Sequence, residues 1–338
     1  MRWWIFSSGF IVYFVLCVAV VAAINYPLLA RYKQSPPDRV FSFVHHGVED
    51  YYLYLSTIRE SKFGAWMSHG VYTALPTKPS IFYEYFILVG KFASIFSLTP
   101  VAAYHIARSV SLIFFIISSY AVCAWTLKKH QAHWAAMVGM FSTIPIGMVY
   151  DWAFHEKSVA SWWWNMSLIG RLDHLPHHAF GIGLLCVSFL CLGKFTKERK
   201  IQYLIGGIAV AFGTGIIFPP AGLVFVLSAT ITVGILALKE LINHKRLHPV
   251  IIGQMSIILA ASASLLIMKF ETLKGFPWSQ WSAWDMGLWN DIPDVDRGIL
   301  MGGSVLLFAS LPAMVWVIKE TNCQSKEEKK KGDIIFFR

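Results

Sequence analysis

Long apolar stretches, separated by short polar loops, occupy most of the chain. A helix that crosses a bilayer needs about 20 predominantly apolar residues. Such stretches predict eight membrane-spanning helices, at residues 5–29, 101–127, 133–150, 177–193, 201–218, 220–238, 249–269 and 299–318. Pro219 and Pro220 interrupt one long apolar run and predict a tight turn between two of these spans. The pattern therefore predicts an all-α fold, a polytopic membrane helix bundle.

One segment, 80–98, decides the predicted topology. It is apolar but short, and it carries Glu84 and Lys91. Interpreted as an amphipathic helix on the membrane surface, it leaves all the basic loops on one side of the membrane. These loops contain Arg2, Lys128, Lys129, Lys194, Lys197, Arg199, Lys200, Lys239, Lys245, Arg246 and the tail 319–338. Because such loops face the cytoplasm, we expect a protein of the cytoplasmic (inner) membrane with both termini inside and loop 31–100 outside.

The composition agrees with a membrane protein and argues against several other classes. Of the 338 residues, 56% are hydrophobic and 14% are charged, whereas soluble domains contain about 25% charged residues. The net charge of +10 is spread over short loops, so it indicates topology and contact with membrane lipids, and no nucleic-acid partner. The chain has no glycine-rich phosphate loop. We expect one transmembrane domain, 1–320, and a charged cytoplasmic tail, 321–338.

Adjacent carboxylates near the start of the first outer loop are the first candidates for chemistry. Glu49 or Asp50 would suit a general base that accepts the proton of a hydroxyl or an amine. Together they would suit a divalent cation held against a phosphate, the one cofactor that the pattern suggests. The alternative is structural, since acidic side chains stabilise the N-terminus of the helix predicted at 51–60.

Three basic residues are candidate ligands for a lipid phosphate. Lys78 precedes the predicted surface helix, and Lys91 lies within it. Arg108 lies one to two turns inside the second predicted span, where an arginine is costly unless it is paired or extends to the interface. It is interpreted either as a phosphate ligand or as an interfacial anchor.

The second outer loop, 151–176, adds an acid and leads to two histidines. Asp151 begins the loop, and His177 and His178 follow it at the start of the next span. The spacing of histidines and acids matches no standard metal motif such as HExxH, so no metal ligand is assigned. Tryptophans at 162–164 are typical of an interfacial aromatic belt and, alternatively, of a surface on which a sugar stacks.

The order of these parts resembles the GT-C superfamily of polyprenyl-phosphate-sugar glycosyltransferases, which includes protein O-mannosyltransferases and lipid A aminoarabinose transferases. The resemblance covers about residues 1–190. It rests on Glu49, Asp50, Tyr51, Tyr52, Pro79, Tyr83, Lys91, Tyr104, His105, Arg108 and the stretch 176–183. Members of the family usually have more spans than are predicted here, which indicates a truncated or minimal member.

The resemblance implies roles for some of these residues and for Asp151. Asp50 would be the catalytic base with Glu49 as its partner, and Asp151 would be the acid of the second loop. Lys91 and Arg108 would bind the phosphate of a polyprenyl-phosphate sugar, the expected partner.

The predicted function is transfer of a sugar to an acceptor on the extracytoplasmic face. One alternative is a transporter or metal-binding membrane protein that uses the histidines. A transporter would need ionisable residues deep within several spans, and the later spans are nearly free of them. The other alternative is a non-catalytic membrane protein.

Overall fold

The computed structural model describes residues 8–45, 48–127 and 175–280, and these residues are helical apart from their connections. Within these ranges the one β-type contact is an isolated antiparallel bridge between Ser68 and Ser80. The helices are α1 Ser8–Lys33, α2 Val48–Lys62, α3 Glu84–Ile95, α4 Pro100–Thr126, α5 Pro176–Glu198, α6 Ile201–Ile217, α7 Pro219–His244 and α8 Pro249–Thr272. The predicted all-α class is confirmed for this part of the chain. The predicted spans 133–150 and 299–318 lie outside it.

Five of the described helices are long and apolar enough to cross a membrane, which is typical of a multi-pass membrane protein. Their apolar stretches are Val15–Lys33, Pro100–Thr126, Pro176–Glu198, Pro219–Asn243 and Pro249–Thr272. The predicted span 201–218 is the shorter apolar helix α6, which has 17 residues. At 1.5 Å per residue it rises about 26 Å, less than the roughly 30 Å of a hydrocarbon core. The described residues therefore give five such spans, and the predicted count of eight is not confirmed.

The segment that decided the predicted topology forms a short helix that packs within the protein. α3 has 12 residues, about 18 Å of helix, which is too short to cross a bilayer. It packs against α2 and α4. Gly90 permits the close approach, because a Cβ there would lie 2.5 Å from the carbonyl oxygen of Ile58. The prediction that 80–98 contains a short helix is therefore confirmed, and its predicted place on the membrane surface stays a prediction.

The contacts between helices fix their relative directions. α4 and α5 run parallel, because Phe114 in the middle of α4 meets Gly183, and Trp125, eleven residues further along α4, meets Gly193, ten residues further along α5. α5 and α6 run antiparallel after a two-residue connection. A single residue, Phe218, then joins α6 to α7, as the two prolines predict.

The helix directions consequently place the N-termini of α4 and α5 and the basic connections at opposite ends of helices α1 and α4–α8. One end holds the C-termini of α1, α6 and α8 and the N-termini of α4 and α5. The other end holds the C-termini of α4, α5 and α7 and the N-termini of α6 and α8. The basic residues there are Lys194, Lys197, Arg199, Lys200, Lys245 and Arg246. Basic loops that are predicted on one side of the membrane thus lie at one end of the helices.

Candidate functional site

A buried arginine lies at the centre of the candidate site. Helix α4 begins where the side chain of Thr99 accepts a hydrogen bond from the backbone of Ala102, and Arg108 lies two turns further on with 2% of its surface exposed. Its Nη2 donates to Oδ1 of Asn25 at 2.6 Å and lies 3.5 Å from the carbonyl oxygen of Ile24. A buried charge is tolerated when hydrogen bonds replace its water. The protein therefore holds a fixed positive charge between α1 and α4.

Two buried tyrosines adjoin this charge. Tyr51 of α2 and Tyr104 of α4 are fully buried, and their rings meet edge to face with centroids 5.0 Å apart. The charge of Arg108 acts on both hydroxyl groups. Burial and the neighbouring Tyr52 raise the pKa of Tyr51 to about 12, and Arg108 offsets only part of that change. The Tyr51 hydroxyl therefore keeps its proton at neutral pH and can donate a hydrogen bond.

Asp50, in the first turn of α2, acts electrostatically on the hydroxyl groups of Tyr54 and Tyr104. It is half-buried, whereas its neighbour Glu49 is exposed. Burial raises the pKa of Tyr54 well above its usual range, and the charge of Asp50 raises it further. Asp50 also acts electrostatically on Tyr104. Asp50 and Arg108, both predicted site residues, therefore both lie within electrostatic range of Tyr104.

Two histidines beside this cluster were not predicted as site residues. Nε2 of His105 lies 3.1 Å from the carbonyl oxygen of Phe43. Since a carbonyl only accepts, Nε2 carries the proton, and Nδ1 is then an acceptor. That Nδ1 is buried and has no hydrogen-bond partner among the residues that the structure describes. Nδ1 of His45 lies 3.5 Å from the hydroxyl of Tyr104, at the long limit for a hydrogen bond.

The predicted pair His177 and His178 lies in the first turn of α5 and extends the aromatic cluster. The ring of His177 lies 5.5 Å from that of Tyr54 and 5.3 Å from that of Phe86. The ring of His178 stacks on Phe218 at 4.4 Å. Tyr54 thus feels the charge of Asp50 and also contacts the ring of His177. The ring of Tyr54 therefore lies between the two histidines and the rest of the candidate site.

The other predicted phosphate ligands lie elsewhere. Nζ of Lys91 lies over the ring of Trp66, 4.2 Å from its centroid. The adjacent Gly90 packs against Ser61, eleven residues and about 16 Å of helix beyond Asp50. The side chain of Lys78 is exposed. Lys91 thus lies beside the end of α2 opposite to Asp50, and the phosphate site that was predicted for Lys91 and Arg108 together stays a prediction.

A second polar cluster joins the first loop to the end of α8. Glu271 accepts hydrogen bonds from Oγ of Ser80 at 2.7 Å and from the backbone N–H of Ile81 at 3.2 Å, and it pairs with Lys274 at 2.7 Å. Nε1 of Trp278 donates to the carbonyl oxygen of Lys78 at 2.7 Å. These bonds fix the segment that leads into α3, and no local pattern in the sequence predicts them.

Neither Asp151 nor a metal centre belongs to the site as described. Asp151 lies outside the described residues. Within residues 8–45, 48–127 and 175–280, no group of three or more His, Cys, Asp or Glu side chains is arranged to hold a metal ion. Comparison of the chain with protein-family models, curated proteins and solved structures finds no match.

Proposed function

We propose that the chain is a membrane-embedded glycosyltransferase that transfers a sugar from a polyprenyl-phosphate donor to a hydroxyl or an amine. One observation carries the proposal, namely a buried guanidinium, Arg108, and a carboxylate, Asp50, that act on the same tyrosine cluster. The cluster lies near the ends of helices that are long and apolar enough to cross a membrane.

In this proposal Arg108 binds the phosphate of the donor. Guanidinium groups bind phosphate through two parallel hydrogen bonds, and the interaction strengthens where water is excluded. Tyr51, whose protonated hydroxyl donates to the carbonyl oxygen of Ser42 at a long 3.4 Å, would exchange that bond for one to the phosphate. Charge develops on the phosphate as the sugar leaves, so donors fixed in advance stabilise the transition state more than the bound donor.

Asp50 is proposed as the general base. The acceptor oxygen or nitrogen forms a bond to the anomeric carbon while the bond from that carbon to the phosphate oxygen breaks. The electron pair of the broken bond stays with the polyprenyl phosphate, and the acceptor proton passes to Asp50. The N-terminus of α2 favours the ionised carboxylate that this step requires.

The remaining predicted residues are given supporting roles. His177 and His178 present ring faces and ring nitrogens beside Tyr54, which suits contact with a sugar ring and its hydroxyl groups. Glu49, which is exposed, would face the acceptor. Asp151 would supply a second acid, as the resemblance implies. Lys91 and Lys78 have no role at the phosphate.

The proposed orientation places the site on the extracytoplasmic side and both termini in the cytoplasm. The basic residues Lys194, Lys197 and Lys245 lie at the end of the helices opposite to Arg108. Positively charged connections favour the cytoplasmic side.

Binding of a polyprenyl phosphate to the purified protein in lipid nanodiscs tests the proposal. Arg108→Ala is expected to weaken binding by 10- to 100-fold, since a hydrogen bond to a charged group contributes about 1.5–3 kcal/mol. Arg59→Ala is the matched control, because Arg59 is an exposed arginine on α2. Arg108→Lys keeps the charge and is expected to retain part of the binding. Wild-type affinity in folded Arg108→Ala would contradict the proposed site.

A further inference from the structure

Helix α1 is packed more loosely than the other four long apolar helices. Within the protein, 6% of its apolar stretch is buried, against 28–44% of the corresponding stretches in α4, α5, α7 and α8. Cys17 is buried, whereas Val18, Tyr26 and Leu29 are more than half exposed. Little apolar contact therefore opposes a movement of α1 away from its neighbour α4.

The side chain of Asn25 makes a short hydrogen bond between α1 and the buried arginine, with the carbonyl oxygen of Ile24 at 3.5 Å as a longer contact. Oδ1 of Asn25 accepts from Arg108 at 2.6 Å. Its Nδ2 lies 2.8 Å from the carbonyl oxygen of Val21 and 3.2 Å from Oγ of Ser109. The amide thus engages its own helix and two consecutive residues of α4, so it acts as a latch between the helices.

Pro27 weakens α1 beside this latch. A proline has no backbone N–H, so the carbonyl of Ala23 lacks its usual helical partner. Bends in helices concentrate at such positions. Helix α1 can therefore bend at residues 23–27, the turn that carries Asn25.

With 2% of its surface exposed, Arg108 cannot contact a donor phosphate while α1 lies in place. We propose that α1 is a lateral gate, that Asn25 keeps it closed by binding Arg108, and that the phosphate of a polyprenyl-phosphate lipid opens it by replacing Asn25 at the guanidinium. The inference rests on the proposed function and adds the route by which the donor reaches the site.

The surface of α1 beside Asn25 fits the apolar chain of such a lipid. Val15 and Val18 are 58% and 52% exposed. Val18 lies seven residues before Asn25, on the same side of α1, and Val15 lies about one turn further from it. A phosphate on a long apolar chain matches both parts, because its charge complements the guanidinium and its chain covers the two valine side chains. Inorganic phosphate matches only the first part.

Substitutions of Asn25 change the latch in opposite directions. Asn25→Ala removes the acceptor for Arg108 and favours the open gate, so we expect the affinity for polyprenyl phosphate to increase about tenfold. Asn25→Asp replaces a neutral acceptor with a charged one, which strengthens the closed state, so we expect the affinity to fall by at least about tenfold. Tyr26→Leu is the control, since Tyr26 is 71% exposed beside the latch.

Spin labels at Leu29 of α1 and Ile106 of α4 measure the gate without a ligand. Both positions are exposed, and the labels require replacement of the five native cysteines. We expect Asn25→Ala to increase the population at longer distances and Asn25→Asp to decrease it. Polyprenyl phosphate should lengthen the distance in the otherwise native protein, whereas inorganic phosphate and neutral polyprenol should not.

The outcomes separate the gate from the proposed function. Wild-type binding of the lipid with no response of affinity or distance to the Asn25 substitutions overturns the gate alone. Weaker binding by Asn25→Ala also overturns it, because Asn25 would then belong to the bound phosphate site. A third outcome is that the distances respond to the Asn25 substitutions but the protein binds no polyprenyl phosphate. That outcome overturns the proposed function and the lipid route, and it supports only a mobile α1.

Discussion

Replacing Glu271 with alanine removes the carboxylate that holds the first loop against the end of α8. In the native protein this carboxylate accepts from Oγ of Ser80, which is fully buried, and from the backbone N–H of Ile81. After the substitution, both donors lose their partner while the surrounding side chains still exclude water. Lys274 also loses its carboxylate but keeps its bond to the carbonyl oxygen of Pro79. The segment 78–82 should therefore open locally much more often.

The size of the effect follows from these two bonds. Each hydrogen bond to a charged group contributes about 1.5–3 kcal/mol, and a buried donor without a partner costs about 1–3 kcal/mol. Since the Trp278 bond to Lys78 remains, we expect a loss of about 3 kcal/mol in the free energy of local opening. That loss corresponds to roughly 100-fold faster exchange of the Ile81 amide hydrogen.

Hydrogen exchange followed by mass spectrometry of the peptide that contains Ile81 measures this change. Glu271→Gln keeps an oxygen acceptor and should lie between the wild type and Glu271→Ala. Glu198→Gln, which breaks an exposed ion pair with Lys200, serves as the control and should leave the Ile81 exchange rate unchanged. Unchanged exchange in Glu271→Ala would refute the interpretation that the carboxylate fixes this segment.

Three further predictions concern the helices around the site. Gly90→Ala would place a Cβ 2.5 Å from the carbonyl oxygen of Ile58, so it should destabilise the protein by about 1–3 kcal/mol in thermal unfolding. Gly213→Ala is the control, because its Cβ would meet no atom within 4 Å, and it should not destabilise the protein. Asp50→Asn should abolish sugar transfer but retain polyprenyl-phosphate binding, and substantial transfer by this variant would remove Asp50 from the role of base. Pro27→Ala restores a backbone donor in α1 and should slow association with the lipid in stopped-flow measurements, and faster association would count against bending at this position.

Hydropathy and proline placement predict most of the described helices, because a helix in a membrane must satisfy its own backbone groups. The turn at Pro219 and Pro220 follows from the missing N–H groups of proline. The bounds of α6, Ile201–Ile217, agree with the predicted span 201–218 to within one residue. α7 extends to His244, beyond the predicted end at 238, because polar residues can continue a helix outside the hydrocarbon core.

The proximity of Asp50 and Arg108 could be predicted only through the resemblance, because the sequence does not show which loop residues meet. The contact of Asn25 with Arg108 joins residues 83 positions apart, and that of Glu271 with Ser80 joins residues 191 positions apart. A polar residue near Pro27 in an apolar span is the one local signal that could have indicated Asn25. Lys91 resembled a phosphate ligand by type and position, but its contact with Trp66 depends on how the first loop folds.

The most direct test of the central claim is to map where a photoactivatable polyprenyl-phosphate analogue attaches to the full-length protein in nanodiscs. The account predicts adducts on the α1 and α4 peptides that contain Asn25 and Arg108, and competition by unlabelled polyprenyl phosphate. Competed adducts confined to the region of Lys91 and Trp66, with none beside Arg108, would contradict it.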